Sequence, residues 1–253
     1  MKAAQKLQQL EEAIRLAGAK AQQLRQQGLS VDVKGKSDFV TQSDLAVETD
    51  LKHLLSQLFP EDGFLGEEGG MTEGVSGIWV IDPIDGTTNY KQGMDYWCIS
   101  VAYVVENTIE LGYIYAPDRN EFFMARKGQG SWLNGKLLQI QNEPEGQSII
   151  GVGHSNRKPL QSYLNLLTLL DEKGIDHRRF GAGALMLAHV SSGLVHGYYE
   201  SHLNSWDALA GLLLIEEAGG AVCNFLANDG LTKGNTAWAS TQHLWPVLAD
   251  STF

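Results

Sequence analysis

The chain has 253 residues, of which 43% are hydrophobic, and its formal net charge is −11. This length and composition are typical of a globular protein that folds unaided, not of a disordered or fibrous chain. The negative charge argues against a nucleic-acid-binding surface, because basic residues cluster only in short spots at Arg157-Lys158 and Arg178-Arg179. We therefore predict no nucleic-acid partner, and we expect a polyanionic ligand to need metal ions that mask the repulsion.

The cysteines and the N-terminal segment bear on the cellular compartment. Cys98 and Cys223 lie far apart within apolar runs, so neither a disulfide framework nor a zinc site is indicated. Charged residues such as Lys2, Lys6 and Glu11 interrupt the first segment, so we expect neither a signal peptide nor a membrane span. The expected location is the cytoplasm, with no membrane partner.

The first half of the chain predicts a sheet laid on two helices. Apolar residues recur at steps of three and four over residues 3–24, which predicts an amphipathic helix ended by Gly28. A second helix is expected after Thr41, a candidate N-cap, with Asp44 in its first turn. The strands predicted next cover residues 64–67, 78–82, 97–105, 109–115 and 121–125.

The second half predicts a mixed arrangement of strands and helices. Strands are expected over residues 149–152 and 195–199, and helices over residues 160–170, 184–190 and 206–218. No repeat or long linker separates the two halves. We therefore predict one globular unit over residues 1–253, with two lobes and a soft boundary near residues 142–147.

The most informative stretch is rich in carboxylates at the ends of apolar strands. It comprises Gly66-Glu67-Glu68-Gly69 and the run Trp79-Val80-Ile81-Asp82-Pro83-Ile84-Asp85-Gly86-Thr87-Thr88-Asn89-Tyr90. Such carboxylates repel one another unless cations lie between them. Because Pro83 fixes its own φ and lacks a backbone donor, we expect the chain to turn after Asp82 and to point Asp82 and Asp85 into one pocket. Glu67 and the Ile84 carbonyl oxygen are further candidate ligands for Mg²⁺.

The residues after this cluster predict phosphate chemistry. Gly86 and Thr87 begin a predicted short helix, whose free amides suit a phosphate oxygen. Metal ions beside such an anion polarise the phosphoryl group, lower the pKa of a bound water and stabilise the leaving alkoxide. The sequence thus predicts metal-dependent hydrolysis of a phosphomonoester by water.

Each of these residues also has a simpler explanation. Asp-Pro-x-Asp-Gly alone is common turn chemistry, and context is what favours a metal site here. Asp44 and Asp207 both lie in the first turn of a predicted helix, so spacing alone favours capping for Asp44 and leaves Asp207 open. In an extended strand Glu68 would point away from Glu67 towards solvent, and His189 has the apolar neighbours of a core residue.

Several motifs together resemble one enzyme family. They are Gly66-Glu67-Glu68, the run from Asp82 to Tyr90, Asp38-Phe39-Val40-Thr41, Asn134-Gly135-Lys136, and the segment from Trp206-Asp207-Ala208 to Gly220. This pattern resembles the inositol monophosphatase family and covers most of the chain. The resemblance implies an α+β (α/β) layered sandwich of alternating helix and sheet layers, a homodimer, a small-molecule phosphomonoester substrate and sensitivity to lithium.

The resemblance also implies a set of metal ligands. Glu67, Asp82 and the Ile84 carbonyl would hold one Mg²⁺, and Asp82, Asp85 and Asp207 would hold a second. A third ion near Glu67 is often inferred in the family, so the expected cofactor is two to three Mg²⁺ ions. Glu67 is counted among the catalytic residues as well.

Further roles follow from the same resemblance. Thr87, hydrogen-bonded to Asp44, would position or activate the attacking water, and the Gly86 and Thr87 amides would hold the phosphate. Glu200 would contact the hydroxyls of inositol, which suits a carboxylate acceptor. The remaining expected site residues are Gly181, Ala182 and Gly183 at the substrate, where the sequence departs from the usual family pattern, and Lys34 and Lys36 on a mobile loop.

The motif leaves the substrate and even catalysis open. Fructose-1,6-bisphosphatases, histidinol phosphatases and 3′-phosphoadenosine nucleotidases share the metal motif, although Thr88-Asn89-Tyr90 favours the inositol branch. The alternative of another class is a non-catalytic, metal-binding regulatory protein on the same fold. Retention of Glu67 and of the other candidate catalytic positions favours an enzyme.

Overall fold

The computed structural model describes residues 3–28, 31–35, 38–142 and 146–249. The helices are α1 (Ala3–Gln27), α2 (Gln42–Leu58), α3 (Thr87–Lys91), α4 (Leu160–Glu172), α5 (Gly183–Ser191), α6 (Ser205–Glu217), α7 (Gly230–Lys233) and α8 (Trp245–Ala249). The strands are β1 (Val31–Gly35), β2 (Asp38–Thr41), β3 (Gly63–Gly66), β4 (Gly70–Thr72), β5 (Ile78–Asp85), β6 (Cys98–Val105), β7 (Thr108–Ala116), β8 (Glu121–Arg126), β9 (Gly130–Leu133), β10 (Lys136–Leu137), β11 (Ile149–Val152), β12 (Asp176–Arg178), β13 (Gly197–Leu203), β14 (Ala221–Val222) and β15 (Asn235–Ser240).

Two sheets organise these elements. The larger sheet has the order β10-β9-β8-β7-β6-β5-β3-β4 and is antiparallel except for the β3–β5 pair. The smaller sheet has the order β12-β11-β13-β15-β14, with β11 parallel to both of its neighbours. Glu106 and Asn107, both at positive φ, form a tight turn between β6 and β7.

Alternation along the strands builds the layers. Trp79 and Ile81 on β5 pack with α1 and α2, whereas Val80 between them packs with α5 and α6. On β13, Tyr198 faces α5 and α6, and Tyr199 faces α4 and α8. The order of layers is therefore helices, large sheet, helices, small sheet, helices, which confirms the predicted layered α/β sandwich.

Helix α6 lies in the middle layer and is apolar on all sides. Residues 208–215 are all buried there, as expected for a helix that contacts a sheet on each face. The same hydrophobic cluster includes side chains of both sheets, so the middle layer joins the two halves. The soft boundary predicted near residues 142–147 falls, along the chain, between the last strand of the large sheet and the first strand of the small sheet. Residues 143–145 lie outside the described part, and the division into two lobes stays a prediction.

The segment between α1 and α2 differs from the expected loop. Strands β1 and β2 pair antiparallel there, with Val31 opposite Thr41 and Val33 opposite Phe39. Lys34 therefore lies in a strand, which corrects the loop assignment, while its side chain and all of Lys36 lie outside the described residues. The Thr41 side chain, the predicted N-cap of α2, lies outside them too. No helix in the described ranges is both long and apolar enough to cross a membrane.

Candidate metal centre and substrate cavity

Asp82 and Asp85 are brought together by an irregularity in β5. Asp82 pairs with Ser100 of β6 and Asp85 pairs with Cys98. The chain therefore advances three residues along β5 but only two along β6, which is a β-bulge in β5. In a regular strand residues three apart face opposite sides of the sheet, and this extra residue restores Asp85 to the side of Asp82. The prediction of a turn directly after Asp82 was wrong, because strand β5 continues to Asp85. The Ile84 amide donates to Asp82 Oδ1 at 2.9 Å and fixes the local shape.

Asp207 reaches the same place from the start of α6. Its Oδ2 accepts a hydrogen bond from the Asn204 amide at 3.1 Å, and the Asn204 side chain in turn accepts from the Asp207 amide. This reciprocal arrangement is a capping box, which stabilises the helix start and also fixes the Asp207 side chain. The capping and metal explanations of Asp207 are therefore compatible with each other.

The three carboxylates form a compact cluster. One ligand oxygen from each of Asp82, Asp85 and Asp207 lies within 4.8 Å of the other two. Burial, reinforced by the neighbouring carboxylates, raises the pKa of Asp82 well above its ordinary value. Burial likewise raises the pKa of Asp85 to about 7 and that of Asp207 to about 6. Such crowding of oxygen ligands is unfavourable for the bare anions and fits a hard divalent cation such as Mg²⁺.

Asp85 is also tied to the start of α5. Its Oδ1 accepts from the Gly183 amide at 3.0 Å and its Oδ2 accepts from the Leu185 amide at 3.2 Å. These two hydrogen bonds satisfy free amides in the first turn of the helix and oppose the effect of burial on the pKa of Asp85. The carboxylate cluster and the Gly181–Gly183 segment are thus held in one fixed relation.

Glu67 and Asp44 surround Asp82 from two other elements. Glu67 follows β3 in a turn, where its amide donates to the Ile81 carbonyl at 3.2 Å. Asp44 lies in the first turn of α2 and is 1% exposed. The charges of both residues raise the pKa of Asp82, after the larger effect of burial. The structure therefore places both predicted residues beside the cluster.

Glu48 is a residue that the sequence reasoning missed. Its carboxylate accepts from the Glu68 amide at 2.9 Å and from the Gly69 amide at 2.8 Å, so it holds the turn that carries Glu67. Lys52 pairs with the same carboxylate at 2.7 Å. A Cβ on Gly66 would lie 2.5 Å from Glu48 Oε1, so any other residue there would have to displace the Glu48 carboxylate. The signal available in the sequence was an acidic residue one helical turn after Asp44, on the same face of α2.

Gly86 and Thr87 form the predicted start of α3. Gly86 has φ of 87°, and a Cβ there would lie 2.9 Å from the Ala182 Cβ, so glycine is required on both counts. The Thr87 hydroxyl donates to the Ile84 carbonyl oxygen at 3.2 Å. Thr87 is thus joined to a predicted metal ligand, while its expected hydrogen bond to Asp44 stays a prediction.

A cavity of about 210 Å³ opens beside the cluster. Glu200 lies in its wall, 9% exposed, and accepts a hydrogen bond from the Tyr198 hydroxyl at 2.6 Å. Burial raises the pKa of Glu200 to about 8. The residues that line the cavity are Asp85, Val152, Gly153, His154, Arg179, Gly181, Ala182, Gly183, Met186, Tyr198, Glu200, Leu203 and Asp207. Of the predicted substrate residues, Gly181, Ala182, Gly183 and Glu200 therefore line the same cavity as two of the clustered carboxylates, whereas Gly86 and Thr87 do not line it.

A larger groove of about 400 Å³ lies elsewhere, along α1. Leu7, Phe59, Tyr103 and Leu111 line it, and none of the clustered carboxylates does. Of these two cavities, the smaller is the better candidate for the site, because possible metal ligands among the described residues line it and do not line the groove.

Comparisons with known proteins agree with this geometry. The model of the inositol monophosphatase family matches residues 3–249. Nus factor SuhB of Haemophilus influenzae is 37% identical over 230 residues, which cover 88% of this chain and 86% of that protein. Inositol-1-monophosphatase of Caulobacter vibrioides is 36% identical over 230 residues, covering 88% and 90%. The solved structure of extragenic suppressor protein suhB from Bartonella henselae matches with a TM-score of 0.89 at 31% identity over 96% of both chains.

The family match spans nearly the whole chain, and the layered fold and the carboxylate cluster are consistent with it. The chain therefore belongs to the inositol monophosphatase family.

Proposed function

We propose that this protein is a Mg²⁺-dependent phosphomonoesterase that hydrolyses inositol monophosphate or a similar polyol phosphate. The observation that carries the proposal is the approach of Asp82, Asp85 and Asp207 to within 4.8 Å, at a cavity that also contains Glu200. The family match and the relative named inositol-1-monophosphatase support the same activity. We also propose a cytoplasmic homodimer with sensitivity to lithium and without a nucleic-acid or membrane partner.

Five groups would hold the metal ions. Glu67, Asp82 and the Ile84 carbonyl form one set, and Asp82, Asp85 and Asp207 form another that shares Asp82. Bound Mg²⁺ supplies positive charge that stabilises the phosphoryl oxygens and the leaving alkoxide and lowers the pKa of water. The buried position of Asp82 and Asp85 keeps bulk water from weakening these interactions.

The other residues orient the reacting groups. Thr87 positions the attacking water, with Asp44 behind it as the acceptor of a proton, and the Gly86 and Thr87 amides bind the phosphate. Glu200, fixed by the Tyr198 hydroxyl, interacts with a hydroxyl of the alcohol. Because Gly183 donates to Asp85, the alcohol and the phosphate are held relative to the same carboxylate.

A regulatory role is the second candidate. Relatives such as that of Haemophilus influenzae carry the name Nus factor rather than the name of a phosphatase. The candidate catalytic residues Glu67, Asp82, Asp85, Thr87 and Asp207 are nevertheless all present, so a regulatory role would be added to catalysis instead of replacing it.

A substrate panel tests the proposal. We expect the purified protein with Mg²⁺ to release phosphate from inositol 1-phosphate faster than from fructose 1,6-bisphosphate, histidinol phosphate or 3′-phosphoadenosine 5′-phosphate. Asp82→Asn serves as the control that removes a central ligand and should abolish release. Turnover of no substrate with any divalent metal would refute the enzyme assignment, and a flat profile would indicate a generalist.

A further inference from the structure

Two adjacent arginines near the cavity have different surroundings. Arg178 is exposed and pairs with Asp176 at 2.8 Å. Arg179 lines the cavity, and no carboxylate of residues 38–142 or 146–249 lies within ion-pair distance of its guanidinium. Arg179 is close enough to Glu200 for its charge to affect that carboxyl, yet it makes no direct bond to it. A cation at the mouth of the cavity is therefore available to a ligand.

His154 lies in the wall of the same cavity. Its ring packs at a tilt against Tyr163 with centroids 5.1 Å apart, and its Nδ1 is buried without a hydrogen-bond partner among the described residues. The imidazole is therefore a second basic side chain, after Arg179, in the wall of this cavity.

The other basic group nearby is already engaged. Arg157 donates to the Asn204 Oδ1 at 3.0 Å, and its guanidinium lies 2.6 Å from His202 Nε2. Asn204 caps the helix that carries Asp207, so Arg157 supports the metal centre. Of these three basic residues, Arg179 and His154 are the two that line the cavity.

We propose that Arg179 and His154 form a subsite for a second anionic group, so that between phosphomonoesters of closely related alcohols the protein prefers the one whose alcohol also carries a carboxylate or phosphate. This inference rests on the proposed function, since it names the substrate class of the same cavity. The net charge of −11 means that most of the protein surface repels an anion. The guanidinium of Arg179, which has no ion pair among the described residues, can attract an anion to the cavity by a charge-assisted hydrogen bond. The reacting phosphate would lie at the carboxylate cluster and the second anion at Arg179.

Matched substrate pairs test the subsite. We would measure kcat/KM with Mg²⁺ for glycerol 3-phosphate against 3-phosphoglycerate, and for inositol 1-phosphate against inositol 1,4-bisphosphate. The second anion should raise kcat/KM about tenfold in at least one pair, as a charge-assisted hydrogen bond does. This preference should weaken as ionic strength rises.

Three variants assign the preference to a residue. Arg179→Gln should reduce the preference about tenfold and change kcat/KM of the singly anionic partner by less than about threefold. Arg179→Lys should restore part of it, because it keeps the charge without the planar fork. Arg178→Gln removes the same charge one residue away and should leave the preference intact.

Each outcome decides a different claim. A wild-type enzyme that prefers the singly anionic substrate in both pairs would overturn the subsite and leave the proposed function standing. Equal losses on all substrates in Arg179→Gln, with an altered oligomeric mass, would assign Arg179 to a subunit contact and also overturn it. If no phosphomonoester is hydrolysed, the proposed function fails, and calorimetric binding of the same two pairs to the Mg²⁺-loaded protein decides the subsite by the same tenfold criterion.

Discussion

The Asn89 side-chain amide donates to the Phe180 carbonyl oxygen at 2.7 Å. The same Nδ2 donates to the Tyr96 carbonyl at 2.7 Å, so a single buried amide joins the helix after the metal motif to the loop before Gly181. This loop carries the cavity wall, and the helix carries Thr87. We therefore expect Asn89 to position the wall of the candidate substrate cavity relative to the candidate metal centre.

Asn89→Ala should destabilise the protein and impair substrate binding. The buried Tyr96 carbonyl and the part-buried Phe180 carbonyl lose their donor, which costs about 1–3 kcal/mol for the buried group left unsatisfied and less for the other. We expect a lower Tm. We also expect the KM for the substrate to rise by a larger factor than the Kd for Mg²⁺. Thermal melts, kinetics and metal titration measure these quantities, and an unchanged KM with a normal Tm would show that the amide does not position the loop.

Glu48→Gln should weaken Mg²⁺ binding without touching a proposed ligand. The substitution removes the ion pair with Lys52 and leaves one oxygen where the Glu68 and Gly69 amides now find two. The turn that carries Glu67 should loosen, so the Mg²⁺ concentration for half-maximal activity should rise several-fold while the plateau rate changes less. Glu12→Gln, an exposed residue of α1, is the matched control. An identical Mg²⁺ dependence in both variants would contradict this role of Glu48.

The stability of the metal-free protein should fall as the pH rises. Folding raises the pKa of Asp85 to about 7 and that of Asp207 to about 6, both from 3.8. Between pH 3.8 and these raised values, the native state therefore binds protons that the unfolded chain does not bind. Stability must then decrease with rising pH across this window, as buried carboxylates ionise beside one another. Added Mg²⁺ should relieve the repulsion, and its increase in Tm should be larger near pH 8 than near pH 5.5. An equal increase at both values would argue against metal binding at this cluster.

Individual helices and strands were predicted well where their sequence patterns are local, whereas the layered arrangement was implied by the resemblance to the family. Steps of three and four marked α1, and apolar runs marked β5 to β8, within a few residues of the observed bounds. The bulge in β5 was not predicted, because Pro83 reads as a turn until the pairing of β6 with both Asp82 and Asp85 is known. Strand β1 was also missed, because its alternation of Val31 and Val33 with polar residues covers only a few residues and its partner in the described part of the chain is the short strand β2.

The residues of the candidate site that belong to a sequence motif could be predicted. Residues that act through contacts with distant parts of the chain could not. Asp82, Asp85 and Asp207 come together as expected from the resemblance to the family. Glu48 and Asn89 act through Glu68 and Phe180, which are 20 or more residues away, and no spacing in the sequence indicates such pairs. Asp207 showed the limit of choosing between explanations, since it is both a cap and a member of the cluster.

Glu200→Gln should alter the choice of alcohol more than the rate of phosphate release. The substitution keeps the size of the side chain and an acceptor for the Tyr198 hydroxyl, so the wall beside Gly153 should stay in place. We expect the ratio of kcat/KM for inositol 1-phosphate over 3′-phosphoadenosine 5′-phosphate to fall several-fold. An unchanged ratio would remove Glu200 from the specificity assignment.

Phosphate release from inositol 1-phosphate as a function of Mg²⁺ concentration tests the central claim most directly. The wild-type protein and Asp229→Asn, which removes an exposed carboxylate paired with Lys233, should show the same saturable Mg²⁺ dependence. Asp82→Asn should lose activity at every Mg²⁺ concentration while remaining folded. Full activity of Asp82→Asn, or release that does not depend on a divalent metal in the wild type, would contradict the assignment of this carboxylate cluster as the catalytic metal centre.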